Sequence, residues 1–295
     1  MSNAPRILIF DSGVGGLSIA ESIQAQHPYF NITYASDNAF FPYGTKGSDE
    51  LIERVNTVLH QLQNTTRADI IVVACNTAST VALPTIRERF TLPIIGVVPA
   101  IKPAAHISKT KVIGLLATPG TVARSYTQDL IKEFASDCSV VCLGSSELVE
   151  LSEEKLRTEK MLRSSTILSS SFQERLSNIV SPFNDSPQMD TVVLACTHFP
   201  LLREELKQAL GHIRYWVDSG EAIARRVGYW LDELNLSSTS KNNSDTNDVG
   251  NGLEHRLEHY SLFTAASTEQ QESISQLAPA LSQRGLGDIR FIEVN

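Results

Sequence analysis

Cysteine is scarce in this chain: four in 295 residues, too few to staple a small secreted fold. Long apolar runs are missing too. None approaches the ~20 residues that span a bilayer, and Met1-Ser2-Asn3-Ala4-Pro5 is too short and polar a lead-in for a signal peptide. Basic residues are in deficit, 25 Lys+Arg against 33 Asp+Glu for a net charge of -8, so direct nucleic-acid binding is not expected. No Gly-x-Gly-x-x-Gly occurs, and Gly13-Val14-Gly15-Gly16 has the wrong spacing for a dinucleotide cofactor. What remains is a chain long enough for one or two domains, with 42% hydrophobic and 20% charged residues, as globular proteins have. These absences favour a cytoplasmic enzyme.

Short apolar runs alternate with helical patterns. Arg6–Phe10, Asn31–Ala35, Ile70–Ala74 and Ile94–Val98 read as strands, apolar enough to be covered on both faces. Between the second and third, Ser48 opens a helix with Leu51, Val55, Val58, Leu59 and Leu62 on one face. The order points to a doubly wound parallel sheet. Lys111–Leu116, Val140–Leu143 and Thr191–Ala195 repeat the scheme, separated by a charged, mostly helical stretch over Glu147–Leu176. Arg214–Val217, a helix Glu221–Leu234, and a strand, helix and strand at Tyr260–Ala265, Glu269–Leu281 and Ile289–Val294 complete the set. Residues 237–252 are rich in Ser, Asn and Asp and read as a flexible surface insertion.

The chain also repeats itself. Ile71-Val72-Val73-Ala74-Cys75-Asn76-Thr77 resembles Val192-Val193-Leu194-Ala195-Cys196-Thr197-His198, and Leu8–Gly13 resembles Leu115–Gly120 more loosely. An internal duplication predicts two similar α/β domains. Cys75 and Cys196 each end a strand and precede a helix. In an open α/β sheet that edge binds ligands, and a helix N-terminus is expected to lower a thiol pKa. Two such thiols can act as acid and base. Asp11-Ser12 lies at another strand end, suited to an ammonium group or to relaying protons, although both residue types also cap helices. His198 stands two residues after Cys196 and can poise it. Asp218-Ser219-Gly220 reads as a cap. Cys138 and Cys142 read as core packing, since no Cys or His pair accompanies them as metal ligands would require.

Phe10-Asp11-Ser12-Gly13-Val14-Gly15-Gly16-Leu17, Pro42-Tyr43-Gly44, Ala74-Cys75-Asn76-Thr77-Ala78 and Ala195-Cys196-Thr197-His198-Phe199-Pro200-Leu201 together resemble the glutamate racemases. These belong to the cofactor-independent aspartate/glutamate racemases, and Glu147–Leu151 and Thr191–Leu194 are similar to the enterobacterial branch. The resemblance implies inversion of glutamate at its α-carbon, supplying D-glutamate for peptidoglycan without pyridoxal phosphate or metal. It makes Cys75 and Cys196 the acid/base pair, with Asp11 assisting the first and His198 the second. Ser12, Tyr43, Gly44, Asn76, Thr77, Thr118, Thr121 and Thr197, with Asp11 and His198, would hold L- or D-glutamate. Glu153 matches the family's acidic position, whereas Glu150 stands where other members carry proline. The fold implied has the site between two pseudo-symmetric domains, residues 1–98 with 211–295, and 99–210. Activation by UDP-N-acetylmuramoyl-L-alanine and a homodimer are open to such a protein.

Three rivals remain. A racemase of another acidic amino acid, such as aspartate, would share the thiol pair. A cysteine hydrolase using Cys196 and His198 leaves Cys75 without a task. A non-catalytic module, for instance one acting on DNA gyrase, would not need both thiols.

Overall fold

The computed structural model describes residues 4–158, 170–236 and 257–294; the stretch 237–252 lies outside them. Among the described residues ten strands form two wholly parallel sheets. The first has the order β10-β9-β2-β1-β3-β4, with β1 Arg6–Asp11, β2 Asn31–Ser36, β3 Ile70–Val73, β4 Ile94–Gly96, β9 His259–Phe263 and β10 Ile289–Phe291. The second has the order β6-β5-β7-β8, with β5 Val112–Ala117, β6 Ser139–Gly144, β7 Thr191–Leu194 and β8 Tyr215–Val217.

The run β2-β1-β3-β4 is thus repeated as β6-β5-β7-β8, each in order of second, first, third and fourth strand. The strand order reverses beside β1 in one sheet and beside β5 in the other. Such switch points open a crevice at the carboxyl ends of the strands.

Strands β1 and β3 are buried on both faces because both faces carry helices. Ile9 and Val72 meet Leu17, Ile23, Ile223 and Val227 from the helices Leu17–Gln26 and Gly220–Glu233. On the other face Leu8, Phe10 and Ile71 meet Val55, Leu59 and Ala82 from the helices Ser48–Thr66 and Asn76–Arg89. Each such aliphatic side chain contributes roughly 1.5–3 kcal/mol by leaving water. The unbroken apolar runs are therefore a consequence of two-sided cover.

Several sequence expectations are corrected. β8 pairs with β7, so the second half extends past the expected boundary at 211, and the chain returns to the first half only with the helix Gly220–Glu233. Strand register also shifts the loosely matched pair of segments by one residue. Phe10 lies beside Val73 and Leu116 beside Leu194, so Asp11 corresponds to Ala117 and Ser12 to Thr118. The single helix expected over Glu269–Leu281 is two, Thr268–Ser275 and Ala278–Gln283. Pro279, lacking an N–H, sits in the first turn of the second, where none is needed. Cys142 is exposed because β6 is a sheet edge with one side open, whereas Cys138, just before β6, is half-buried and packs against the core as expected.

Candidate active site

The carboxyl ends of β1, β3, β5 and β7 converge on one cleft. Of the expected residues, Cys75, Cys196, Asp11, Ser12, Tyr43, Gly44, Asn76, Thr77, Thr118, Thr121, Thr197 and His198 all line it. Glu153 lies behind His198 and does not. Phe41, Pro42, Thr45, Ser146, Val149 and Glu150 also line the cleft. The sequence reading missed Ser146 and Val149; Ser146 stands just past the end of β6 and Val149 in the helix that follows, Glu147–Thr158, where the strand-end rule that found the cysteines could have been applied.

Cys75 precedes the first residue of the helix Asn76–Arg89 and is buried. Its sulfur lies near the Ala78 N–H and the Asp11 carboxyl. Burial, the Asp11 charge and the second thiol push the Cys75 thiol well above its usual range, outweighing the Ala78 N–H. The expected lowering by the helix start is therefore overturned: burial of the thiol, and after it the adjacent Asp11 carboxylate, outweigh a terminal half-charge.

Asp11 is itself fully buried. It accepts the N–H groups of Ser12 at 2.7 Å and Gly16 at 2.6 Å, and the Thr197 hydroxyl at 3.2 Å. Burial raises its pKa, while the charge on His198 opposes that rise. Gly16 immediately precedes the helix Leu17–Gln26, so Asp11 does tie down a helix start, but it also faces the thiol.

Around Cys196 the neighbour carries the opposite charge. Its sulfur lies 3.9 Å from His198 Nδ1, and His198 Nε2 donates to Glu153 Oε1 at 3.0 Å. Burial alone would lower the His198 pKa, but Cys196 and Glu153 outweigh it and push it up to about 10. Glu153 stays low against its own burial, held by His198, by Arg157 at 2.9 Å and by the Val14 N–H at 2.9 Å.

That last bond crosses between the sheets, and it explains the glycines. A Cβ on Gly13 would lie 2.5 Å from Glu153 Oε1, and one on Gly15 would collide with His198 and Thr197. The turn lacks side chains because the second half packs against its backbone. Ser18 Oγ adds another tie, donating to the Thr197 carbonyl at 2.8 Å.

Thr118 caps the helix Pro119–Ala123, its hydroxyl 3.0 Å from that of Thr121. Asn76 Oδ1 is buried with no hydrogen-bond partner among the described residues, leaving an acceptor for a donor group. Asp218 accepts the Gly220 N–H at 2.8 Å at the start of the helix Gly220–Glu233, as expected of a cap. Among the described residues no helix is long and apolar enough to cross a membrane.

The sequence model of the Asp/Glu/Hydantoin racemase family matches residues 17–227. The chain belongs to this family. Glutamate racemases of Pectobacterium carotovorum subsp. carotovorum (strain PC1) and Actinobacillus pleuropneumoniae serotype 7 (strain AP76) are similar at 49% and 46% identity over 245 and 238 residues. The alignments cover 82% and 81% of this chain and 82% and 85% of theirs. Among solved structures, Escherichia coli glutamate racemase in complex with L-glutamate and the activator UDP-MurNAc-ala matches with a TM-score of 0.83 at 40% identity, over 99% of both chains. The two-sheet α/β racemase fold is thus shared with that enzyme.

Proposed function

We propose that this protein interconverts L- and D-glutamate by a two-thiol mechanism that needs neither an organic cofactor nor a metal. The observation that carries the reading is the pair of buried cysteines at matched strand ends of two like sheets, both facing one cleft. Inverting a carbon centre requires a base on one face and an acid on the other, and a duplicated fold supplies two equivalent positions.

With L-glutamate, the Cys196 thiolate takes the α-proton and becomes a thiol. The Cys75 thiol gives its proton to the opposite face and becomes a thiolate, leaving D-glutamate. The reverse reaction exchanges the roles. His198, a buried cation, stabilises negative charge on Cys196. Asp11 does the reverse for Cys75 and keeps it a proton donor until the substrate's ammonium group arrives beside both. Asn76 Oδ1 also accepts from that ammonium. Backbone N–H groups after β1 and β3, with the threonines at 77, 118, 121 and 197, suit the two carboxylates. Glu153 keeps His198 protonated and oriented.

The test is circular dichroism of purified protein with L-glutamate alone. Decay of the signal to zero without any added cofactor supports the reading. A signal that stays unchanged, or that decays only after pyridoxal phosphate or a metal is added, would reject it.

In the same reading the enzyme works in the cytoplasm and feeds D-glutamate to peptidoglycan. The E. coli relative was crystallised with the activator UDP-MurNAc-ala, and we extend that activation to this chain. Saturating UDP-N-acetylmuramoyl-L-alanine should raise the rate; an unchanged rate rejects the extension.

A further inference from the structure

One buried charge cluster lies outside the cleft and takes no part in the mechanism above. Asp37 is fully buried at the end of β2. Its Oδ1 accepts from Arg54 at 2.7 Å and from the Thr264 hydroxyl at 2.6 Å, and its Oδ2 from Arg54 at 2.8 Å and from the Tyr43 hydroxyl at 2.8 Å. Four donors fill the carboxylate's accepting capacity. Neither Asp37, Arg54 nor Thr264 lines the cleft.

The segment they hold does. Between β2 and the helix Ser48–Thr66 the chain makes only two single turns, Asn38–Phe40 and Tyr43–Thr45, with no side-chain caps. Such turns have few hydrogen bonds of their own and depend on tertiary anchors. The Tyr43 ring is buried, 6.2 Å from Phe10 and 6.1 Å from Phe40. Burial and the Asp37 charge push its phenol well above the usual range, so the hydroxyl remains a donor to Asp37. The Thr264 hydroxyl also accepts the Ala39 N–H at 2.9 Å, fixing the first turn from the same side. Across the cleft, a Cβ on Gly120 would lie 3.0 Å from the Gly44 carbonyl oxygen. The turn therefore abuts the second half where the cleft closes.

We propose that Asp37, held by Arg54 and Thr264, is a positioning residue that sets the Tyr43–Gly44 turn against the second half, and that the Tyr43 hydroxyl serves this anchor and does not bind substrate. Substrate meets the backbone of the turn. Displacing the turn weakens binding of both enantiomers and leaves proton transfer at the sulfurs intact. The inference rests on the glutamate racemase reading, and absence of turnover in the unmodified protein would reject that reading first.

The experiment compares kcat and KM of Tyr43→Phe, Thr264→Val, Thr264→Ser and the double variant Tyr43→Phe/Thr264→Val. Each variant's melting temperature is followed as a check on folding. Losing a hydrogen bond to a charged group corresponds to about tenfold. KM should rise by about that factor in Tyr43→Phe and somewhat less in Thr264→Val, with kcat within about twofold in both. The double variant should fall short of the product of the singles, because both act through one carboxylate. Thr264→Ser, which keeps the hydroxyl, should restore KM. If Thr264→Val leaves KM unchanged while Tyr43→Phe raises it, the hydroxyl binds substrate directly and the proposal fails. Multiplicative effects, or loss of kcat at constant KM, also overturn it.

Discussion

Cys75 and Cys196 occupy the same position in the four-strand run that the two sheets share, each two residues past the last paired residue of its strand. Their surroundings are not the same. The residue that follows Phe10 is Asp11, a buried carboxylate against Cys75; the residue in the matching place after Leu116 is Ala117, which carries no charge. The second thiol instead has His198, whose counterpart beside Cys75 is Thr77. The repeated unit thus places two thiols at matched strand ends of one cleft, one beside an anion and the other beside a cation. In the proposed mechanism, the two directions of the reaction are chemically mirror images and fall to two half-sites that are electrostatic opposites.

The largest test of this pairing removes the sulfurs. Cys75→Ala or Cys196→Ala should each lower racemisation by about 10⁴-fold, the upper end of what one acid/base group supplies. Each single variant still keeps one base. With a glutamate analogue bearing a good leaving group at the β-carbon, Cys196→Ala should eliminate only from the D-form and Cys75→Ala only from the L-form. Equal elimination by both variants from one enantiomer would break the assignment of faces.

Exchanging the helpers is the next test. Asp11→Asn and His198→Asn should each reduce kcat/KM by about 10²-fold. Mirror-image substrates have an equilibrium constant of one, so kcat/KM must fall equally in both directions and cannot show which thiol suffered. The α-deuterium isotope effect can. It should grow with D-glutamate in Asp11→Asn and with L-glutamate in His198→Asn. The same enantiomer responding in both variants would contradict the division of labour. Asn in place of Asp11 can still accept one backbone N–H, so stability should change little.

A third test concerns pH. The His198 proton is held up to about 10 when folded, against 6.5 for a free imidazole. Its stabilising contribution is therefore complete below about pH 6.5 and is lost as pH rises toward 10. The unmodified protein should lose stability across that window, and His198→Asn should lose less. Parallel melting curves from pH 6 to 10 would remove the ion pair from the account.

The smallest effect compares two matched aspartates at strand starts. Asp190, before β7, is buried and accepts from Ser108 and Thr191 at 2.7 Å and from the Lys109 and Thr110 N–H groups. These donors overcome burial and hold its carboxyl at about 2. Asp69, before β3, pairs with Arg6 at 3.1 Å and is partly exposed. Asp190→Asn should destabilise by about 2 kcal/mol at neutral pH, a difference that fades as pH falls from about 4 to 2. Asp69→Asn should change stability by less than about 1 kcal/mol, and neither should affect turnover.

The sequence by itself determined the parallel strands and both catalytic candidates. Apolar runs such as Ile70–Val73 can be satisfied only by cover on two faces, and Cys75 and Cys196 sat in near-identical contexts that needed no coordinates to see. Glu153 was visible through family likeness. Only the tertiary structure decided the rest. The side of the division taken by Tyr215–Val217 depends on which strand it pairs with, and three residues carry no partner label. The counterpart of Asp11 required the register of β1 on β3 and β5 on β7, where one residue of slip changes every pairing. The sign of the Cys75 shift needed the depth of its burial and, after that, the approach of a carboxylate 64 positions away in sequence. Asp37, Arg54 and Thr264 stood unnoticed because each is an ordinary polar residue locally, and only folding brings three separate elements to one carboxylate. Local pattern fixes which groups lie at a strand end; electrostatics depends on distances between segments, and those exist only once the two halves have closed.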